Sequence, residues 1–358
     1  MSKSENSSIS LKKQLLNIGV VVLLTAVIFA IIFGRNKNFS FSVFFNFLGG
    51  LNYYYLTGAF LCMLLFIVFE GVSLKIILEN MGFKTKKRHA MLYSASDIYY
   101  SAITPSATGG QPASVYYMRK AGVSGSAATA AVTFNIFMYI TSIVFIAAFV
   151  FIVNPMSFFK FDLIYQILII AGALIQGSIM LFCFLLMKKP SILKAIAKGI
   201  FTFLHKIRIV KSIDSRLKSL DNTMNEYKNN IDLILSNRSL ALKSFVLNLL
   251  QRISQMAISV FVYLAAGLAS GPHSISVLQI FVLQSYCLLG ANAVPIPGAA
   301  GVSEGLYLSA FYSFMPKEVL LNCMMATRGI TYYICFIIAG VYTFVCHIIM
   351  TLKFKKGV

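Results

Sequence analysis

The chain alternates long apolar segments with short polar ones, and six of the apolar segments are long enough to cross a lipid bilayer. A bilayer core is about 30 Å thick, which an α-helix crosses in roughly 20 residues. The first segment, for example, has no charged residue over 19 positions. This pattern predicts an all-α integral membrane protein with about six full transmembrane helices near Leu15–Phe33, Leu56–Leu78, Ala127–Val153, Leu163–Leu186, Phe245–Leu268 and Leu321–Met350.

Two stretches rich in proline and glycine interrupt the apolar pattern. The first is Thr104–Pro112 and the second is Pro295–Gly305; together they hold four of the eight prolines. Broken helices at membrane depth survive only where the freed backbone groups face protein or a water-filled cavity. In transporters such breaks are where polar substrates bind. We therefore expect the working site between these two breaks.

Composition supports a membrane protein and excludes several other classes. Of the 358 residues, 58% are hydrophobic and 12% are charged, about half the charged share of a soluble domain. The six cysteines all fall in apolar segments without metal-ligand spacing, and the four histidines are scattered. No metal site and no cofactor are expected. The net charge of +20 could indicate nucleic acid, but the basic residues cluster just beyond the apolar spans, as expected for contact with anionic lipid.

The distribution of lysine and arginine predicts which ends face the cytoplasm. The loop with Lys84, Lys86, Lys87 and Arg88 is strongly basic, and the 187–243 connector has twelve basic residues against four acids. Lys12 and Lys13 precede the first segment, and the C-terminal tail also carries lysines. Cytoplasmic loops of membrane proteins carry an excess of Lys and Arg. Both termini and the connector are therefore expected in the cytoplasm.

This assignment predicts that both interrupted segments are re-entrant hairpins. If residues 90–103 crossed the bilayer once, the basic connector would lie outside, and such a helix would reach only about 21 Å. A hairpin near 90–120 that enters and leaves on the cytoplasmic side avoids this conflict, as does a second near 275–314 from the outer side. Two hairpins from opposite leaflets are what an inverted repeat would produce. The alternative is eight plain spans in which each break joins two full helices.

The predicted domain organisation follows from these segments. Residues 1–14 form an N-terminal tail, 15–186 the first membrane half, 187–243 the connector, 244–352 the second membrane half and 353–358 a short tail. Within the connector, residues 191–209 alternate apolar and basic positions. This segment reads as an amphipathic helix on an anionic leaflet, with a solvated linker helix as the alternative.

Three acidic residues fall within membrane segments, namely Glu70, Asp97 and Glu304. Ionisable groups there are costly, usually face the protein interior and often mark a transport pathway. Arg252 and Arg328 are the candidate cationic partners. Each group could instead serve only as a structural pair that fixes helix register, but their convergence on two broken helices favours handling of a substrate or a proton.

The glycine-rich turns are candidate anion sites. Successive backbone N–H groups followed by a helix N-terminus can hold a phosphate without a side-chain charge. Gly109-Gly110-Gln111 and Gly298–Gly301 both have this form. Glu304 would repel an anion beside the second turn, which favours an amine, a proton or Arg328 as its partner. Neither turn is a nucleotide-binding fingerprint.

Several motifs together resemble a known family. Gly109-Gly110-Gln111-Pro112 with Tyr116–Gly122, and Pro295-Ile296-Pro297-Gly298 with Gly301 and Glu304, resemble the lysylphosphatidylglycerol synthase transmembrane family, the flippase-like domain of the multiple peptide resistance factor. The resemblance covers roughly residues 12 to 352. It implies a bacterial inner-membrane protein that moves lipids between leaflets. Longer members add a cytoplasmic domain that transfers lysine from lysyl-tRNA to phosphatidylglycerol, and we expect it to be absent because the chain ends at Val358.

The leading hypothesis is a lipid translocase that acts on anionic or aminoacylated phospholipid, alone, as a homo-oligomer or with a partner synthase. The alternative is phosphatidylglycerol lysyltransferase, which the expected lack of a transferase domain disfavours. A third is a scaffold for a cell-envelope glycosyltransferase, in which neutralising Glu304 or Asp97 would leave function intact. The residues expected to bind or pass the substrate are Glu70, Asp97, Gly109, Gly110, Gln111, Arg119, Arg252, Pro297, Gly298, Gly301, Glu304 and Arg328.

Overall fold

A computed structural model describes residues 41–104, 107–206, 214–270 and 274–355. Throughout these residues the regular structure is helical, and five helices are long and apolar enough to cross a membrane. The predicted all-α membrane class is therefore confirmed. These five helices correspond to the second to sixth predicted segments. The predicted span Leu15–Phe33 and the N-terminal tail lie outside the described residues.

The helices follow one another with short connections. In chain order they are α1 Phe41–Gly49, α2 Tyr53–Asn80, α3 Lys87–Ile103, α4 Gly110–Lys120, α5 Gly125–Val153, α6 Leu163–Lys188, α7 Pro190–Lys206, α8 Asp214–Ser236, α9 Arg238–Ala265, α10 Val277–Ala291, α11 Val302–Phe311, α12 Lys317–Arg328 and α13 Cys335–Lys355. Short 3-10 turns lie at Pro155–Lys160 and Pro297–Ala299, and a π-helical turn at Gly329–Ile334 joins α12 to α13.

Local sequence signals explain several helix boundaries. Asn52 and Ser124 cap α2 and α5, because their side chains accept backbone N–H groups of the first turn. Gly82 and Gly122 follow α2 and α4 with φ values of 87° and 96°. A glycine in this left-handed conformation ends a helix without steric cost. The short connections therefore return the chain directly into the next helix.

Helices α2 and α9 form an antiparallel pair at the centre of the molecule. At one end the Asn52 N–H donates to the Ala265 carbonyl over 2.9 Å. Further along, Gly58 lies against the ring of Phe261, and Ser73 accepts from Asn248 over 3.1 Å. The two helices begin the two membrane halves after the first predicted span. Their opposite directions are what an inverted repeat requires.

The helix pair α3–α4, here called hairpin 1, enters and leaves the bundle at one end. The Tyr342 hydroxyl donates to the Arg88 carbonyl at the start of α3, and Lys120 at the end of α4 donates to Thr351. Both contacts are made by α13, through Tyr342 near its middle and Thr351 near its end. The connector lies at the same end, where Asn80 donates to the Leu233 carbonyl. We call this the basic end, since it carries the basic loop 81–86 and the connector.

The pair α10–α11, here called hairpin 2, enters and leaves at the opposite end. Gln279 near the start of α10 accepts from Asn154, which follows α5. Ser309 near the end of α11 donates to Asp162, which precedes α6. With 15 and 10 residues, the two helices reach about 22 and 15 Å, too short for a full span. This geometry agrees with two re-entrant hairpins rather than eight plain spans.

The connector forms two helices, and the second packs against the membrane helices. Tyr227 and Ile231 of α8 are fully buried in a cluster with residues of α2 and α5. Glu226 accepts from Ser126 at the start of α5 over 2.7 Å. Helix α7 is mostly exposed over residues 191–199. The predicted amphipathic helix thus lies over most of α7, although 207–209 fall outside the described residues.

Candidate functional site

The tips of the two hairpins meet at the π-helical turn of the last membrane helix. The Tyr332 hydroxyl donates to the carbonyl of Ala102, at the end of α3, over 2.8 Å. The same ring lies so close to Gly298 that a side chain at that position would overlap it. A π-helical turn inserts one extra residue and often occurs at functional sites. The turn thus places one tyrosine against both tips.

Arg328, the last residue of α12, binds the tip of hairpin 2. Its Nε donates to Glu304 Oε1 and its second terminal nitrogen donates to the Gly298 carbonyl, both over 2.8 Å. The side chains are only 15% and 7% exposed. Within the described ranges the other two ion pairs are much more exposed. The sequence analysis named an amine, a proton or Arg328 as the partner of Glu304, and the structure pairs Glu304 with Arg328.

The backbone of the second turn is shaped by left-handed residues. Gly298, Ala299 and Gly301 have φ values of 61°, 49° and 85°. This conformation brings Glu304 back over the start of its own helix, where its Oε2 accepts the Gly301 N–H over 2.6 Å and the Ser303 hydroxyl over 3.0 Å. A carboxylate at this position satisfies a free N–H and the helix dipole. The expected phosphate site at this helix start is therefore occupied by the protein's own carboxylate.

Asp97 of α3 binds the start of α4 in hairpin 1. Its two carboxylate oxygens accept from Gln111 over 2.8 Å and from Ser101 over 3.1 Å. Gly110 lies against the same carboxylate, and a Cβ there would overlap it. The N–H of Gly109 donates to the Thr104 hydroxyl over 2.8 Å. Asp97 thus ties the two helices of the hairpin together just below the tip.

Glu70 and Arg252 lie beside Asp97 on the central pair of helices. Glu70 accepts from Ser94 and Gln251, each over 3.1 Å, and its carboxyl group also contacts that of Asp97. The Arg252 guanidinium is stacked between two aromatic rings, 4.9 Å from the centre of Phe66 and 4.3 Å from that of Tyr139. Arg252 also donates to Gln255 over 2.8 Å, and cation–π contacts of this kind help to stabilise a buried cation.

The predicted site residues therefore fall into two groups and one outlier. The first group, at hairpin 1, contains Glu70, Asp97, Gly109, Gly110, Gln111 and Arg252. The second, at hairpin 2, contains Pro297, Gly298, Gly301, Glu304 and Arg328. Arg119 belongs to neither group, because it is exposed in the last turn of α4, at the basic end. Arg119 therefore belongs to the basic surface at that end of the molecule and not to either group of site residues.

Sequence reasoning did not single out several residues that the structure brings to the site. Tyr332 joins the two tips, Phe66 and Tyr139 hold Arg252, and Gln251 binds Glu70. The amide of Gln251 lies within a predicted membrane span, and polar residues in such spans commonly bond across helices. That signal could have identified Gln251. The aromatic residues carry no comparable signal among the many aromatics of the chain.

The polar side chains of the two groups can bind a polar ligand or exchange a proton. No cluster of three or more metal-ligating side chains occurs within the described ranges. The groups available to a ligand are carboxylates, guanidinium groups, amides and hydroxyls in a largely apolar interior. Arg328 and Glu304 offer one positive and one negative partner to a polar molecule that reaches the tips.

Comparison with known proteins gives the family. No curated protein matches the chain significantly. The profile of the family described as lysylphosphatidylglycerol synthase TM region matches residues 14–339, which include both hairpins, both groups of site residues and the connector. The chain belongs to the lysylphosphatidylglycerol synthase transmembrane-region family.

Proposed function

We propose that this protein moves phospholipid headgroups between the two leaflets of a membrane, through the space between the hairpin tips. The acyl chains remain in the bilayer while the headgroup passes the polar groups at the π-helical turn. The observation that carries this proposal is that two hairpins from opposite ends of the bundle meet at Tyr332. Each hairpin would then close the path toward one side.

The Glu304–Arg328 pair suits a charged headgroup as its ligand. Guanidinium groups bind phosphate with planar, paired hydrogen bonds, so a lipid phosphate can replace Glu304 as the partner of Arg328. The amine of an aminoacylated headgroup can in turn pair with Glu304. In the closed state the protein's own groups satisfy each other, which avoids an unpaired buried charge. An anionic or aminoacylated phospholipid is therefore the substrate class that we propose.

The expected membrane orientation is part of the same proposal. Lys84, Lys86, Lys87 and Arg88 lie at or near the basic end, together with the connector. Under the positive-inside rule the basic end faces the cytoplasm of a bacterial cell, with both termini on that side. Hairpin 1 is then the cytoplasmic hairpin and hairpin 2 is the outer one.

Reconstitution of the purified chain in liposomes tests this function. Fluorescent phospholipid in the inner leaflet should become accessible to an impermeant quencher faster than in protein-free liposomes. The variant Arg328→Lys should slow this movement, because a lysine keeps the charge but not the planar contacts to Glu304 and Gly298. Glu79→Gln, which affects an exposed pair with Lys75, is the matched control. Wild-type protein that leaves the lipid in its original leaflet would refute the proposal.

The family description supports a second candidate, phosphatidylglycerol lysyltransferase. That description names a synthase whose membrane region the profile represents. Incubation of membranes containing this chain with labelled lysyl-tRNA and phosphatidylglycerol separates the candidates. We expect no labelled lipid; its formation would favour the transferase.

A further inference from the structure

A buried polar layer beside hairpin 1 has no part in headgroup binding as proposed above. It consists of Glu70 and Asp97, which are 5% and 8% exposed, with Gln251 and Arg252 at 1% and 3%. These residues come from three helices, α2, α3 and α9. Ionisable groups this deep in a membrane protein are costly, and they commonly belong to ion or proton pathways.

The charges of this layer balance only when it holds one proton. The Ser94 hydroxyl, one turn before Asp97 on α3, donates to Glu70 over 3.1 Å, so the carboxyl groups of Glu70 and Asp97 are neighbours that interact with each other. Two neighbouring carboxyl groups can share a hydrogen bond only when one of them is protonated. One carboxylate then balances the single positive charge of Arg252. Loss of the proton would leave a net negative charge in the interior, which the surroundings disfavour.

Two buried polar atoms in the layer indicate a place where water can bind. Gln251 Oε1 and Arg252 Nε have no hydrogen-bond partner within the described part of the chain. Gln251 reaches into the layer, since its amide nitrogen binds Glu70. Buried polar atoms of this kind usually bind ordered water, and water is the normal carrier of protons to a buried carboxyl group.

Of the titratable groups in and around the layer, the two carboxyl groups are the ones that can exchange a proton near neutral pH. Within the described ranges, Tyr139 on α5 and Cys335 on α13 also interact with Glu70 and Arg252. A phenol and a thiol ordinarily lose their protons well above neutral pH. Asp97 on α3 and Arg252 on α9 complete the set, and the guanidinium stays charged at every accessible pH.

We propose that Glu70 and Asp97 bind one exchangeable proton and that this proton drives the movement of hairpin 1. The proposal rests on the translocation function above and supplies its energy source, a proton gradient. It assigns a proton site to a carboxyl pair that is separate from the Glu304–Arg328 pair at the tips.

The hydroxyl of Ser101 connects the proton to the tip of hairpin 1. Its oxygen lies 3.1 Å from Asp97 Oδ1 and 3.3 Å from the Ala107 carbonyl. A hydroxyl has one hydrogen and donates fully to one acceptor at a time. When Asp97 is ionised, Ser101 donates to it. When the proton instead lies on Oδ1 of Asp97, Asp97 donates to Ser101 and no longer to Glu70, and Ser101 then donates to the Ala107 carbonyl.

The layer also has polar groups on the side that faces the basic end. One helical turn from Glu70, the Ser73 hydroxyl donates to Asn135 over 2.6 Å, and Asn248 donates to both. On the other side Ser101 leads to Ala107, which is exposed. The carboxyl pair thus lies between a polar network toward the basic end and the exposed residue at the tip. A proton that crosses the protein needs polar groups on both sides of its binding site.

Two measurements on the full chain test the proposal. Infrared difference spectra between acidic and alkaline buffer should show a protonated carboxyl band that shifts in heavy water. The band should be absent from Glu70→Gln and from Asp97→Asn, and unchanged in Glu79→Gln, which alters an exposed acid on the same helix. In liposomes with the membrane potential held at zero, a pH difference of about one unit should bias fluorescent phospholipid up to about tenfold toward one leaflet, if one proton moves per lipid.

The outcomes separate this proposal from the translocation function. Wild-type protein that moves lipid without any bias from the pH difference, or that lacks the carboxyl band, would overturn the proton site and leave translocation standing. Wild-type protein that shows the band but moves no lipid would refute translocation and support the proton site. Should either variant fail to fold, the wild-type spectra and lipid bias decide alone.

Discussion

At the residue scale the pair of Glu304 and Arg328 is the feature on which the account depends most. Both side chains are largely removed from solvent, and Arg328 also binds the Gly298 carbonyl. A buried ion pair contributes little relative to apolar packing, but the loss of one partner leaves an uncompensated charge. A charged ligand that replaces one partner of the pair can therefore separate Glu304 from Arg328 without leaving a charge unpaired.

Replacement of Glu304 by glutamine should strongly destabilise the closed state, because it leaves the Arg328 charge unpaired. Breaking a buried pair costs about 3–5 kcal/mol, whereas Glu79→Gln at the exposed pair should cost about 0–1 kcal/mol. Thermal unfolding in detergent measures the difference. Adding Arg328→Met to the Glu304→Gln variant should recover much of the lost stability. Equal losses of stability in Glu304→Gln and Glu79→Gln would contradict a buried, coupled pair.

A second prediction at this scale concerns Gly110. A Cβ at this position would overlap the Asp97 carboxylate and lie 2.5 Å from the Asp97 carbonyl oxygen, which is backbone. Overpacking of this kind typically costs about 1–3 kcal/mol, so Gly110→Ala should lower the melting temperature. Gly177→Ala is the control, since nothing lies within 4 Å of its added Cβ and alanine favours a helix. A melting temperature for Gly110→Ala as high as that of the control would contradict the described contact.

At the scale of the helices the connector is more than a solvated linker. Tyr227, Ile231 and Ile234 of α8 are completely buried against the membrane helices. Hydrogen bonds from Asn80 and Ser126 fix both ends of this contact. Helix α8 therefore belongs to the folded core at the basic end.

Truncation of a buried side chain on α8 should destabilise the whole chain. Ile231→Ala should cost about 2–5 kcal/mol, because its side chain is 0% exposed. Leu233→Ala, two residues away and 51% exposed, should stay within about 0.5 kcal/mol. Thermal unfolding in detergent again provides the measurement. Similar effects of the two substitutions would show that α8 does not pack as described.

The sequence predicted the helices better than their contacts. The length of the apolar segments was sufficient to predict the long helices α2, α5, α6, α9 and the last span. The short helices and the distribution of basic residues between the two ends indicated the hairpins. Contacts between side chains were harder to predict. For Glu304 the sequence left an amine, a proton or Arg328 as possible partners, and only the structure shows the pair with Arg328, which directly precedes the π-helical turn. The aromatic cage of Arg252 and the position of Tyr332 arise from packing between distant helices, which helical periodicity does not encode.

At the scale of the whole molecule, two similar halves face each other in opposite directions. Each half contains a long helix, a hairpin of two short helices and a further long helix, and α2 and α9 pair antiparallel between them. Hairpins that enter from opposite ends and meet at one turn would provide two gates on the path that we propose. Such an arrangement permits alternating access by movement of one hairpin at a time.

Reversible cross-linking of the two tips tests whether the hairpins must separate before lipid can cross. Ala102 and Ala299 lie at the tips, where the end of α3 contacts the 3-10 turn. Cysteines at these positions, in a background without the native cysteines, can be joined by a short reducible cross-linker in liposomes. A matched control joins cysteines at Asp162 and Ser309, the base of hairpin 2, where a fixed contact is expected. We expect lipid movement to stop when the tips are joined, to continue in the control, and to return after reduction. Movement at an unchanged rate with the tips joined would show that the hairpins are not gates.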